Sequence, residues 1–186
     1  MEKFYLEEPS IKRKEEAINY IKEHLKYNSA INGSGGLDSR YENYEEWLKY
    51  RELNKSIDTC PEGKCPGIEY FLIRENDDKL IGMINLRWDL TEDMLQHGGH
   101  IGYGIRPTER RKGYNKINLY LCLLKARELG LDKVLLTAYD TNPGSVKTIL
   151  ALGGVLENKI EDNLGRYWID VEDSINKYKD VYKGVI

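Results

Sequence analysis

Ile105-Arg106-Pro107-Thr108-Glu109-Arg110-Arg111-Lys112-Gly113-Tyr114-Asn115 lies between two strong patterns. Upstream, Gly99–Arg106 reads as a strand that Pro107 ends. Downstream, Gly113–Leu129 reads as a long helix, with Ile117, Leu121 and Leu124 on one face and Leu119, Cys122, Leu123 and Ala126 widening it. A helix apolar on most sides is packed on most sides. Gly130 follows as a left-handed cap would, and Lys133–Tyr139 is again a strand. Strand, helix, strand in this order predicts a parallel pair joined by a right-handed crossover.

Other elements extend from this unit in both directions. Lys3–Glu8 reads as a short edge strand, and Pro9–Ser10 opens a helix carrying Ile11, Ala17, Ile18, Ile21 and Leu25 to about Tyr27. Asn32–Gly36 is a glycine-rich break. Tyr41–Asn54 is a second helix, and Ser56–Gly67 a loop rich in Pro, Gly and Cys. Ile68–Arg74 and Lys79–Trp88 form a hairpin around Glu75–Asp78, and Asp89–Gly98 is a loop. After Tyr139 come a short helix, Pro143–Leu152, and a closing antiparallel pair, Gly153–Ile160 with Gly165–Asp170. Val171–Ile186 is amphipathic, with no element assigned. The fold class is α/β: a mixed, mostly antiparallel central sheet with helices on both faces and one parallel pair.

The chain has 186 residues, which at about 150 residues per domain predicts one domain. Lys+Arg number 28 and Asp+Glu 31, a net charge of −3. That balance offers no global basic field for a nucleic-acid backbone, so no nucleic-acid partner is expected. No apolar run approaches the roughly 18 residues of a membrane span, and Met1–Ser10 shows no secretory core. No membrane partner is expected, and the setting is read as cytoplasmic. The three cysteines, Cys60, Cys65 and Cys122, fit free thiols in a reducing compartment. Cys60 and Cys65 make one loose pair, and His24, His97 and His100 supply no second pair for zinc, so no metal is expected.

The first amides of a helix have no internal partner and carry partial positive charge, which makes the helix start an anion site. Here Arg106, Arg110, Arg111 and Lys112 crowd that start, and Gly113 lets backbone come close to a bound group. A pyrophosphate fits; so does an ordinary solvated basic turn. No Gly-Lys-Ser/Thr ends a Walker loop, and Gly102-Tyr103-Gly104 lacks the third glycine of a dinucleotide fingerprint.

Arg110-Arg111-Lys112-Gly113-Tyr114-Asn115 resembles the Arg/Gln-x-x-Gly-x-Gly/Ala signature of the GNAT superfamily of N-acetyltransferases. Gly99–Pro107 is similar to that family's fourth strand, Leu129–Thr137 to its helix end and fifth strand, and Asp140–Ser145 to its Asn-x-x-Ala/Ser helix start. Gly153–Asn158 and Arg166–Ile169 are similar to its closing strands. Leu37–Tyr41 and Tyr44–Trp47 extend the likeness to the "predicted acetyltransferase" branch. The resemblance implies one acyltransferase domain over 1–186, with helices 9–54 on the acceptor side and 99–160 holding acetyl-CoA. It implies a fourth and fifth strand that splay apart. The pyrophosphate would lie on Arg110–Asn115 and the pantetheine along Ile105, Arg106 and Pro107, with Asn142 and Ser145 beside it. The Ile105 amide would polarise the thioester carbonyl. The acetyl group would pass directly to the primary amine of a small molecule or peptide. A catalytically idle acyl-CoA sensor or scaffold is the alternative, and a homodimer is compatible with both.

Two positions depart from the family pattern. Asn115 stands where Gly or Ala is usual, and Ile149 where many members carry a tyrosine that protonates the leaving thiolate. Tyr139, Tyr114 or water are the substitutes; a thiol is also acidic enough to leave unaided. For the base, His100 is the titratable group at the start of the fourth strand, with His97 a second choice. A strand-end histidine that only holds a loop is the plainer reading. Cys122 reads as a packing thiol. On the acceptor side, Asp38, Glu42, Glu45 and Glu46 alternate with Tyr41, Tyr44 and Trp47. They either hold an ammonium group or form an ordinary amphipathic helix with its aromatics inward. Asp89–Gly98 and Tyr167–Trp168 complete that side.

Overall fold

The structure, a computed structural model, describes residues 2–186; Met1 lies outside the described residues. Strand β1 (Phe4–Glu7) is followed by helices α1 (Lys14–Lys26) and α2 (Tyr44–Leu53). Then come β2 (Gly67–Arg74), β3 (Lys79–Arg87), β4 (Ile101–Ile105), α3 (Tyr114–Glu128) and β5 (Lys133–Tyr139). Helix α4 (Pro143–Ala151), strands β6 (Val155–Ile160) and β7 (Leu164–Asp170), and helix α5 (Val171–Tyr182) complete the chain.

The strands form two antiparallel sheets, one ordered β1-β2-β3-β4 and one ordered β5-β7-β6. Helices cover both faces. On one side Tyr20, Ile21, Tyr44 and Trp47 of α1 and α2 pack on Phe71, Ile73, Leu80 and Met83. On the other, Leu119, Tyr120, Leu123, Ile149 and Ile175 of α3, α4 and α5 pack on Ile84, Leu86, Val134 and Leu136. Helix α3 is buried along most of its length, Cys122 included. Burying these side chains stabilises the fold by roughly 1.5–3 kcal/mol for each large apolar group, before the entropy of ordering the chain is charged.

The parallel pair expected across the β4-α3-β5 crossover is not a ladder. The two sheets touch at one point, where the His100 amide donates to the Leu135 carbonyl at 2.7 Å and Gly99 bridges Leu136. The Leu135 amide, which a parallel ladder would give to a backbone carbonyl, donates instead to His100 Nδ1 at 2.9 Å. A side chain thus consumes the donor that would extend the pairing. β4 and β5 part from there.

Two features escaped the sequence patterns. Leu72 pairs with Gly82 and Ile73 with Leu80, so Ile81 is an extra residue in β3. This bulge puts Leu80 and Met83 on the same face despite their odd spacing. It also turns the Ile81 carbonyl to accept the Arg106 amide at 2.9 Å. The amphipathic tail folds as α5. Asp170 caps it by accepting from the Asp173 amide at 3.1 Å, and Tyr182 stacks on Tyr120 of α3 with ring centroids 4.4 Å apart. Asp170 followed by Glu172 and Asp173 was the available start signal.

The glycines of β4 are fixed by the opposite layer. Backbone at Asn32–Gly33 lies directly on Gly102 and Gly104, so a Cβ on Gly104 would sit 2.8 Å from the Asn32 carbonyl oxygen and 3.0 Å from the Tyr20 hydroxyl. Gly104→Ala is expected to cost about 1–3 kcal/mol through overpacking. Gly144→Ala, whose added carbon meets Asn142 Oδ1 at an ordinary 3.7 Å, is expected to be neutral or stabilising by up to about 1 kcal/mol. Chemical denaturation of the two variants reads the contrast.

Candidate functional site

Where β4 and β5 diverge, a cavity of about 580 Å³ opens between the end of β4, the start of α3 and the start of α4. Its floor is the turn that joins β4 to α3. Gly113 takes φ +86° and Arg111 φ +64°, both left-handed. The amides of Arg111, Lys112, Gly113, Tyr114 and Asn115 donate to no acceptor among the described residues. A Cβ at Gly113 would meet no atom within 4 Å. Convergent free amides on an open glycine at a helix start form an anion cradle.

The basic side chains around this cradle are mostly engaged elsewhere. Arg106 is buried, donating Nε to the Leu80 carbonyl at 3.0 Å and pairing with Glu23 at 3.1 Å. Glu23 also accepts from the Thr108 amide and hydroxyl at 2.9 and 2.8 Å. Arg110 folds back onto the Ile105 carbonyl at 3.0 Å and the Ser29 hydroxyl at 2.7 Å. Lys112 pairs with Glu109 at 2.8 Å. Arg111 is exposed and forms no ion pair among the described residues. Of the expected donor-site residues, Ile105, Arg110, Arg111, Gly113, Tyr114, Asn115, Asn142 and Ser145 line the cavity; Arg106, Pro107 and Lys112 do not. Arg106 and Lys112 shape the turn instead, because the carboxylates of Glu23 and the buried Glu109 claim their charges. Asn115, at the position of the family's Gly or Ala, keeps its Oδ1 buried without a partner among the described residues. Asn142 caps α4, accepting from the Ser145 amide at 3.2 Å.

The expected catalytic residues are dispersed. His100 Nδ1 accepts from the Leu135 amide, so the neutral ring carries its proton on Nε2 and has no free lone pair for a base. Burial, together with the Arg87 charge, lowers its pKa to about 4. The structure makes His100 a tie to strand β5 rather than to a loop. His97 bonds Asp93 at 2.9 Å on the surface. The Tyr114 hydroxyl donates to Glu2 at 2.7 Å and accepts from Arg74 at 3.4 Å, away from the cavity. Tyr139 is 48% exposed and lines no part of the cavity. Ile149 is wholly buried. On the acceptor side, Tyr44 and Trp47 are buried while Glu42, Glu45 and Glu46 face solvent, as an ordinary amphipathic helix requires.

Three groups were not singled out from sequence: Tyr103, Glu109 and Glu69. Tyr103 spans from β4 to α4, its hydroxyl 2.8 Å from Ser145 Oγ. Glu69 is buried on β2 against Arg51 at 3.0 Å and Asn85 at 2.9 Å. Burial, opposed by the charges of Arg51 and Arg87, raises its pKa to about 7. Gly35 lies over this carboxyl, with no room for a Cβ. A larger hollow of about 830 Å³, between Leu156, Trp168 and Tyr178, lies on the outer side of β6, β7 and α5. The free amides do not line it.

Glu109 holds the floor in place. It is buried and meets Arg74 at 3.1 Å, Lys79 at 2.6 Å and Lys112 at 2.8 Å. Burial alone would raise its pKa; the donors Lys112, Lys79 and Arg74 override this and bring it down to about 2. A depressed carboxylate contributes stability that is complete above its unfolded pKa near 4.5 and disappears as pH falls through 2. Glu109→Gln leaves these cations unbalanced and is expected to cost about 3 kcal/mol at pH 7. The difference from the natural chain shrinks between pH 4.5 and 2, as read by denaturation across that range.

Comparison with known proteins gives this geometry a family. The model of the acetyltransferase (GNAT) domain matches residues 13–155. No curated protein matches the sequence. Among solved structures, the dodecameric spermidine N-acetyltransferase from Vibrio cholerae is similar at TM-score 0.64 and 15% identity, covering 94% of this chain and 98% of that one. A ribosomal-protein-S5-alanine acetyltransferase from Vibrio fischeri is similar at TM-score 0.63 and 15% identity, covering 93% and 96%. Apo FdhC, a nucleotide-linked sugar GNAT, is similar at TM-score 0.65 and 18% identity, covering 97% and 93%. The chain is a member of the GNAT acetyltransferase family and, by that membership, an acyltransferase.

Proposed function

We propose that the protein is an acetyl-CoA-dependent N-acetyltransferase that moves an acetyl group to a primary amine by direct attack on the thioester. The observation that carries this reading is the run of unpartnered amides from Arg111 to Asn115 around the open Gly113, at the mouth of the gap beside β4. Such a cradle suits the diphosphate of coenzyme A. Ile105, Asn142 and Ser145 line the same cavity, and within this reading they hold the pantetheine arm.

Within this reading 1–186 act as one acyltransferase unit in a cytoplasmic setting, and among the described residues no helix is long and apolar enough to cross a membrane. Residues 9–54 flank the acceptor and 99–160 hold the donor. The acceptor is a small-molecule or peptide amine. With His100 committed to Leu135, the amine's proton passes to solvent rather than to that ring. The dodecameric neighbour makes self-association part of the reading, and a homodimer is the smallest such assembly, measurable by sedimentation.

Acetyl-CoA at about 100 times its dissociation constant should stabilise the fold by roughly 2.7 kcal/mol. A thermal melt that does not move on its addition would remove the donor assignment. Turnover is read by thiol release against polyamines, peptide N-termini and amino sugars; a bound donor with no acceptor in any class favours the idle sensor. Gly113→Asp places a carboxylate in the cradle and should weaken CoA at least about tenfold. Gly113→Asn imposes the same left-handed backbone without the charge and should retain most of the affinity. Calorimetric titration of both variants separates charge from strain, and equal affinities would place the diphosphate elsewhere.

A further inference from the structure

Acyl transfer from the thioester to an amine leaves a pair of electrons on sulfur, and a buried thiolate needs a donor beside it. Ile149 cannot serve. Of the other groups considered, His100 is tied to Leu135, Tyr114 is turned to Glu2, and Tyr139 lies outside the cavity. Tyr103 remains. Its neighbours Gly102 and Gly104 carry the Asn32–Gly33 backbone on one face of β4, so its ring lies on the other, within the gap. The hydroxyl crosses to α4, 2.8 Å from Ser145 Oγ and 3.3 Å from the Ser145 carbonyl oxygen. Ser145 and Ile149 are one helical turn apart and share a face of α4. A strand residue thereby delivers a phenol to the helix face where this chain has no tyrosine of its own.

We infer that Tyr103 is the hydrogen-bond donor to the departing sulfur, its hydroxyl turning from Ser145 to the thiolate as the acyl–sulfur bond breaks. The inference rests on the acetyl-CoA reading above. As the amine nitrogen bonds to the carbonyl carbon, the carbon–sulfur bond breaks and its electron pair stays on sulfur. The nitrogen gives up its proton to solvent, and the thiolate takes one from solvent on release. Tyr103 keeps its own proton throughout. Burial, only partly offset by the Ser145 hydrogen bond, raises its pKa, so the phenol remains a donor at neutral pH. A hydrogen bond to an ionised acceptor is about twice as strong as a neutral one, so the gain appears as charge develops on sulfur.

The thiol of bound CoA reports this contact without any acceptor. Thiolate absorbance near about 240 nm is titrated for CoA on the natural chain, on Tyr103→Phe and on Ser145→Ala. Arg110, Arg111, Lys116 and Lys147 line the cavity and are present in all three, so their fields cancel in the comparison. Tyr103→Phe should raise the bound thiol's pKa by about one unit, a tenfold loss of ionisation, with CoA affinity changed little. Ser145→Ala frees the hydroxyl and should leave the thiol's pKa unchanged or lower. Equal values for the natural chain and Tyr103→Phe would overturn the assignment. So would a rise in Ser145→Ala alone, which would make the serine the donor. If Tyr103→Phe loses CoA altogether, Ser145→Ala must lower the thiol's pKa by freeing the phenol, and an unchanged or raised value there overturns the assignment. If the natural chain itself binds no CoA, the acetyl-CoA reading falls first, and this inference with it.

Discussion

The arrangement depends on one joint. His100 donates its amide to the Leu135 carbonyl and accepts the Leu135 amide on its ring. This satisfies three backbone groups, the His100 amide and the Leu135 carbonyl and amide, that would otherwise be left bare, and it stops the ladder. Had a carbonyl of β4 taken that amide, the next pairs could form and the sheets would close. Instead β4 keeps β3 as its neighbour and β5 keeps β7. The space between them opens as the cavity bordered by the starts of α3 and α4. A cavity between two packed layers is costly unless something holds the layers apart, and here a hydrogen-bonded side chain does so at its apex.

The electrostatics of the cavity follow a related economy. A basic run around a helix start suggests a cluster of cations waiting for phosphate. In the fold Glu23 takes Arg106 and Glu109 takes Lys112. These ion pairs, anchored on the buried Arg106 and Glu109, order the turn, and the turn then aims its amides outward. The positive character of the floor joins backbone dipoles, which cost no side-chain entropy when an anion arrives, to the cations Arg110, Arg111, Lys116 and Lys147 that line the cavity. A chain of net charge −3 can thus hold a local anion cradle without becoming basic overall. The β3 bulge belongs to the same device. It turns the Ile81 carbonyl toward the Arg106 amide, and Arg106 Nε reaches the adjacent Leu80 carbonyl. The turn is thereby pinned to the sheet from behind.

Much of this was legible in the amino-acid sequence, because local rules and tertiary demands agree over most of the chain. β5 falls on Lys133–Tyr139 as periodicity and flanking signals require, and α3 on Tyr114–Glu128. What was not legible depends on contacts between distant positions. Whether β4 and β5 pair depends on where one imidazole points, and periodicity says nothing of that. Arg106 and Lys112 look like free cations until Glu23 and Glu109 are brought beside them across the fold. Gly102 and Gly104 resemble a broken nucleotide motif until the Asn32–Gly33 backbone is seen lying on them. Tyr103, between those glycines, reads as one more strand aromatic. Its reach to Ser145 belongs to the assembled layers alone.

The same joint links the two sides of the sheet through protonation. His100 in its neutral form holds Leu135. Its pKa is depressed to about 4 from 6.5, so the stability it contributes is complete above 6.5 and disappears as pH falls through 4. Glu69 behaves oppositely. Its pKa is raised to about 7 from 4.5, so its contribution is complete below 4.5 and disappears as pH rises through 7. Arg87 connects them, lowering both values through its charge while its Nη2 holds the Gly98 carbonyl at 3.2 Å, next to the joint. Protonating His100 would bring a second cation beside Arg87 and break the Leu135 contact. Ionising Glu69 would place a charge beneath Gly35, with Arg51 and Arg87 to offset it. The glycine loop at Gly35, over Glu69, and the joint at His100 therefore share the one guanidinium of Arg87.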